Sequence, residues 1–158
     1  MTVLLALAAA AATVAPTPGL EYAFEETVLL GPDVPAGQTP LGGRNIIPIT
    51  GGTFEGPGLK GTIIGGGWDW QLRRADGCLQ IKADYMLRTD DGAVINVVNT
   101  GVSCRANDPK AVVRTHPVFE APQGKYDWLS QGCFIGTLDQ VSLPDGKRAV
   151  RIRFYRVT

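Results

Sequence analysis

The sequence predicts an all-β fold, a closed antiparallel up-and-down β-barrel of about eight strands with one short helix or lid near residues 123–131. Three observations point there. Short runs of alternating apolar and polar residues recur along the chain, divided by glycine, proline and Asp-Gly turns. Twenty glycines and 11 prolines in 158 residues are more than a helical bundle accommodates. The segment from Asp76 to Gly101 reads as a meander of short hairpins, which favours an up-and-down barrel over a Greek-key sandwich.

Residues 1–19 are read as a signal peptide or disordered leader, and residues 20–158 as a single β-barrel domain. From Leu20 to Leu30 large apolar residues alternate with polar or small ones, giving a strand with Leu20, Tyr22 and Phe24 on one face. Gly31 to Gly43 is expected to be a proline and glycine loop. Arg44 to Ile49 resumes as a strand, Gly51-Gly52 turns or bulges it, and a further strand covers Lys60 to Ile64. After Gly65-Gly66-Gly67, Asp69 and Gln71 share one strand face while Trp68, Trp70 and Leu72 share the other. Tryptophans normally take the buried side, but a barrel with a wet cavity would turn Asp69 and Gln71 inward.

Asp76-Gly77 reads as a hairpin turn. The next strand, Cys78 to Arg88, sets Leu79, Ile81, Ala83, Tyr85 and Leu87 on one face and Gln80, Lys82, Asp84 and Arg88 on the other. Ala93 to Asn99 is a strand, Ser103 to Lys110 a polar loop, and Val112 to Glu120 a strand that Pro117 confines to an edge or a bulge. Pro122 to Gln131 is the place for the helix or lid. Strands over Cys133 to Leu143 and Lys147 to Val157, joined by Pro144-Asp-Gly146, close the chain.

Fifteen basic and 15 acidic residues balance, so there is no electrostatic footprint for nucleic acid. Stable membrane insertion is also unexpected. The leader is short and alanine-rich, and Gln80, Lys82, Asp84, Arg151 and Arg153 break the apolar outer face that a membrane barrel needs. The leader, Met1 to Ala15, has signal-peptide length but no Lys or Arg before its apolar core. Export to the periplasm or secretion is the expected localisation, and the cytoplasm is the alternative. Of the three cysteines, Cys78, Cys104 and Cys133, two can pair in an oxidising compartment, in any of three ways, or all can be buried thiols.

Several linked motifs carry a resemblance. Pro48-Ile-Thr-Gly-Gly-Thr-Phe-Glu-Gly-Pro57, Gly66-x-x-Asp69-Trp-Gln71, Arg88-Thr-Asp-Asp-Gly92, Asn99-x-Gly101 and Tyr126-x-Trp-Leu129 together resemble the domain of unknown function 3237 family, also called uncharacterised protein family 0311. The resemblance spans about Leu20 to Val157. It implies a small closed antiparallel barrel, similar in outline to the calycin and lipocalin barrels, and no settled activity. The apolar leader, Cys104 and Cys133 depart from the family pattern and fit an exported variant.

No phosphate loop, dinucleotide fingerprint, nucleophile elbow or zinc-ligand pair occurs, and one histidine, His116, rules out a histidine-rich metal site. The expectation is chemistry without metal or cofactor, or plain binding, with a small apolar or aromatic molecule as partner and homo-oligomers possible. A buried carboxylic acid has a pKa raised toward working pH and becomes a usable acid or base. The expected catalytic set is Asp69 as acid or base, Tyr85 as proton donor or oxyanion partner, and Arg88 as anchor for a substrate carboxylate. Thr50, Phe54, Trp70, Glu120, Tyr126 and Trp128 are the expected substrate contacts, with Tyr126 and Trp128 closing over an aromatic substrate. Each has a plainer role available: Tyr85 in the core, Arg88 in a solvated ion pair, Trp128 as a plug, Asp91 as a turn residue, His116 on an edge strand. The function read from the residues is a cofactor-independent lyase or isomerase acting on an aromatic or apolar acid, or else a lipocalin-like carrier.

Overall fold

The computed structural model describes residues 15–158, and most of the expected leader lies outside them. Nine strands form one antiparallel sheet in the order β1-β9-β8-β7-β6-β5-β4-β3-β2, and an added β1–β3 pairing closes it. They are β1 (Leu20–Leu30), β2 (Val34–Thr39), β3 (Gly42–Gly56), β4 (Leu59–Arg73), β5 (Leu79–Thr89), β6 (Val94–Ser103), β7 (Val113–Glu120), β8 (Phe134–Ser142) and β9 (Arg148–Val157). Helix α1 (Asp127–Gln131) lies between β7 and β8. The barrel therefore has eight strands, with β2 as a short extra one.

Strand β2 corrects the expected loop over Gly31 to Gly43. Its composition reads as turn, yet it pairs with the first residues of β3, from Val34↔Ile46 to Thr39↔Gly42. Pro35 is tolerated because an edge strand can leave an N–H position unused.

Two glycine clusters bend long strands. Gly52 has φ of +138° and a backbone so close to Thr27 that any side chain would strike its carbonyl. The β3–β4 register breaks there, between Ile49 and Thr53, so Gly51-Gly52 forms a bulge within one 15-residue strand. Gly67 sits under the Cβ of Tyr85, at 2.5 Å from where its own Cβ would be, and the β4–β5 register breaks beside it. Pro117 also finds its place. Strand β7 pairs with β8 only from Val113 to Thr115, so Pro117 stands at a local edge where its missing N–H removes no bond to β8.

The two barrel ends differ. At one, Phe24, Phe54, Phe119, Phe134 and Phe154 stack with neighbouring centroids 4.9–6.0 Å apart. Leu129 of α1 is buried over them and Trp128 packs on Phe134 at 5.8 Å. Tyr126 donates its hydroxyl to both oxygens of Asp91, at 2.9 and 3.0 Å, and Lys125 Nζ donates to the same carboxylate at 2.7 Å. Hydrogen bonds from Lys125, Thr89 and Tyr126 hold the Asp91 carboxyl well below the usual carboxylate range. Asp91 is thus the latch that pins the plug.

At the opposite end Cys78 and Cys104 form a disulfide that ties the β4–β5 turn to the β6–β7 loop. Cys133 is free and exposed. Because the bridge closes a loop with a sequence separation of 26, its removal is expected to cost about 3 kcal/mol. Urea unfolding of a Cys78→Ser, Cys104→Ser double variant measures this, and an unchanged midpoint would show that the loops hold without it.

Candidate active site

The barrel encloses a cavity of about 300 Å³. Its walls are apolar, from Val28 of β1, Ile47 and Ile49 of β3, Ile81 of β5 and Ile152 of β9. Polar groups enter at two levels. Asp69, Gln71, Tyr85 and Asn99 lie within, while Arg73, Ser103, Arg105, Gln140 and Arg148 stand where β4, β6, β8 and β9 meet the disulfide end. The cavity opens at that end and is stopped by the phenylalanine cluster at the other.

Strand β4 resolves the face ambiguity at the tryptophans. Asp69 and Gln71 turn inward, and Trp68 and Trp70 are 43% and 45% exposed on the outer wall. Gln71 Nε2 donates to Asp69 Oδ2 at 2.8 Å, and the Lys82 backbone N–H donates to Oδ1 at 3.2 Å. Both bonds favour the carboxylate, but burial acts more strongly and the Asp69 pKa is raised.

Tyr85 is 2% exposed and donates its hydroxyl to Oε1 of Glu26, itself 1% exposed. Burial pushes the Glu26 carboxyl up to about 8, against a smaller opposing effect of the Tyr85 hydrogen bond. Tyr85 is raised well above its ordinary value by burial and by the nearby carboxyls of Glu26 and Asp69. At neutral pH Glu26 is therefore mostly a protonated acid behind a phenol that faces the cavity. The sequence reading missed Glu26. Glu26 shares the parity of Phe24 and Val28, all three of them inside, while the register shift of β1 between Tyr22 and Phe24 leaves Leu20 and Tyr22, expected on that same face, exposed.

The expected convergence of Asp69, Tyr85 and Arg88 is corrected in one member. Arg88 is exposed on the outer wall, as its odd spacing from Tyr85 along β5 requires. Thr50 is exposed and bonds the Leu29 carbonyl, Trp70 and Glu120 face outward, and Phe54 is in the stopped end. Tyr126 and Trp128 belong to the plug, remote from the cavity mouth, so they do not close over an entering molecule. The guanidinium groups at the cavity are instead Arg73, Arg105 and Arg148. Arg105 pairs with Asp139 at 3.1 Å and Arg148 with Asp33 at 2.7 Å, and Arg73 has no ion pair among the described residues. No cluster of three or more His, Cys, Asp or Glu with metal-binding geometry occurs among the described residues.

Fold and cavity define a small closed antiparallel barrel with an internal site open at one end. The chain belongs to the family described as Protein of unknown function (DUF3237), whose model matches residues 18–157. It is 38% identical over 136 residues to a UPF0311 protein of Rhodopseudomonas palustris, covering 77% of this chain and 89% of that one. It is 33% identical over 140 residues to the Hydroalkoxylation enzyme phnH of Penicillium herquei, covering 86% and 87%. Among solved structures, a beta-barrel like protein of Acinetobacter baumannii superposes with a TM-score of 0.79 at 33% identity, covering 92% of this chain and 99% of that one. An enzyme from Penicillium herquei superposes at 0.68 with 26% identity, covering 93% and 100%.

Proposed function

We propose that this protein is a cofactor-independent enzyme of the lyase or isomerase kind that moves a proton on a small aromatic or apolar acid held inside the barrel. The observation that carries the reading is Asp69, a half-buried carboxyl with a raised pKa that faces an apolar cavity beside Tyr85. The name of the Penicillium herquei relative supports one version, addition of a hydroxyl across a carbon–carbon double bond. In that version Asp69 gives its proton to one alkene carbon as the substrate oxygen bonds to the other. The hydroxyl proton returns to the Asp69 carboxylate, so the acid is restored and no atom is gained or lost. Elimination is the same sequence run backwards. For this step protonated Glu26 donates to the Tyr85 oxygen instead of accepting from it, which frees the Tyr85 proton to steady the charge that develops on the substrate oxygen.

The acid group of the substrate meets the arginines of the mouth, and Arg73, being unpaired, is its anchor. With 4-phenylbutyrate and 4-phenylbutanol as probes, the protein is expected to bind the carboxylate more tightly. Arg73→Ala is expected to weaken carboxylate binding roughly 10-fold and leave the alcohol unchanged. Equal binding of the two probes by the natural protein would remove the acid from the substrate description.

The deciding experiment incubates the protein with extract of its source cells and follows small molecules by mass spectrometry. A compound consumed with formation of an isomer of equal mass, or with loss of a defined fragment, establishes the reaction class. A compound retained unaltered would favour the lipocalin-like carrier, which the mostly apolar cavity wall also suits.

A further inference from the structure

One polar side chain of the cavity has no task in the reaction above. Asn99 points inward from β6, is 2% exposed and lines the cavity, and its Oδ1 has no hydrogen-bond partner among the described residues. A buried amide oxygen left without a partner is costly, so it calls for a ligand or another specific cause. Its position supplies the ligand. Asp69 pairs with Ala83 and Ala83 with Asn99 on three successive strands. Two strand spacings place the β4 and β6 backbones about 10 Å apart. On the inward face the paired residue between them is Ala83, whose side chain is a single methyl, and all three line the concave interior, where inward side chains converge. The result is a notch with a carboxyl on one wall, an amide on the other and a small apolar floor. An asparagine amide accepts at Oδ1, donates at Nδ2, and exchanges the two by a half-turn about its Cβ–Cγ bond.

Resting on the reading of Asp69 as the acid, we infer that Asn99 is a substrate-contacting, specificity-determining residue that takes a hydroxyl or carbonyl oxygen and holds the reacting part of the substrate against Asp69. The substrate is then a hydroxy- or oxo-substituted apolar acid, with its carboxylate toward Arg73 and its second oxygen group in the notch.

Phenol and toluene, nearly equal in size, test this by binding alone. The natural protein is expected to bind phenol about 10-fold more tightly than toluene, the share of one buried hydrogen bond. Phenol, and not toluene, should shift the NMR signals of the Asn99 side-chain amide. Asn99→Leu should abolish the preference and leave the melting temperature equal or higher, since it replaces an unpartnered amide by methyl groups of similar volume. Ala83→Val should fill the notch and weaken phenol binding. A phenol preference that survives in Asn99→Leu would overturn the inference, as would an unmoved Asn99 signal or a variant that unfolds, which would make the amide structural. None of these readouts needs turnover. A notch that binds phenol through Asn99 while Asp69→Asn retains full activity would keep Asn99 as the group that takes a substrate oxygen and overturn only the acid role of Asp69, with the placing of the reacting part against it.

Discussion

Replacing Asp69 by asparagine is expected to lower turnover of the compound consumed in extract by about 10²–10⁴-fold, the usual contribution of a positioned acid or base. The barrel is expected to stay folded. Asparagine has the same shape and still accepts from the Lys82 N–H at Oδ1. Gln71 can rotate its amide to present an oxygen to the new Nδ2. The substitution also removes a carboxyl whose ionised form burial disfavours. If Asp69 acts as the acid, the rate of the natural enzyme falls as pH rises through its raised pKa. Arg88→Ala, on the outer wall, is the control and should leave the rate unchanged. Full activity in Asp69→Asn, or a cooperative unfolding transition lost from it, would take Asp69 out of the catalytic role.

The second large effect lies in stability. The Glu26 carboxyl is raised from 4.5 to about 8 in the folded barrel. Below the lower value both folded and unfolded chains hold the proton. Between the two values the unfolded chain releases it and the folded chain keeps it, so folding loses stability as pH rises, by up to ~1.4 kcal/mol per pH unit. Across the window the loss amounts to a few kcal/mol. Glu26→Gln has no such proton to release, and its side-chain oxygen can still accept from Tyr85. Urea unfolding of both proteins from pH 5 to 9 should therefore show the natural barrel weakening relative to the variant, and Asp69, common to both, cancels from the difference. Parallel curves across this range would mean that Glu26 is ionised in the folded state at neutral pH.

Most strands were legible because one face of each meets the core and alternation is a local signal. Gly51-Gly52 and Gly65-Gly66-Gly67 were legible as sites of bending, but whether a glycine pair ends a strand or bulges it depends on the partner strand, which local sequence does not hold. The same limit misplaced Leu20 and Tyr22, which the register slip in β1 turns outward; Glu26 shares the parity of Phe24 and Val28 and was readable on the inward face. Asp69 was readable as one of two options from Trp-Asp-Trp-Gln. Asn99 was readable from Ile95, Val97 and Asn99, which share the inward parity on β6. Arg88 needed only the strand period to separate it from Tyr85. Tyr126 and Trp128 were expected over the substrate, but they sit in the plug, the plainer role read for Trp128, and up-and-down winding, which alternates its connections, accounts for it. The β7–β8 segment must lie beside the β5–β6 turn that carries Asp91, and away from the turns around Cys78 and Cys104.

A barrel stopped at one end by α1 and the phenylalanines is a cul-de-sac. Whatever enters past Arg73 must leave by the same way. A polymer cannot be threaded through and worked on step after step, so the site suits compact molecules handled one at a time. Product and substrate also compete for the same passage, and under the proposed reaction product inhibition would be competitive, with release a natural bottleneck of the cycle.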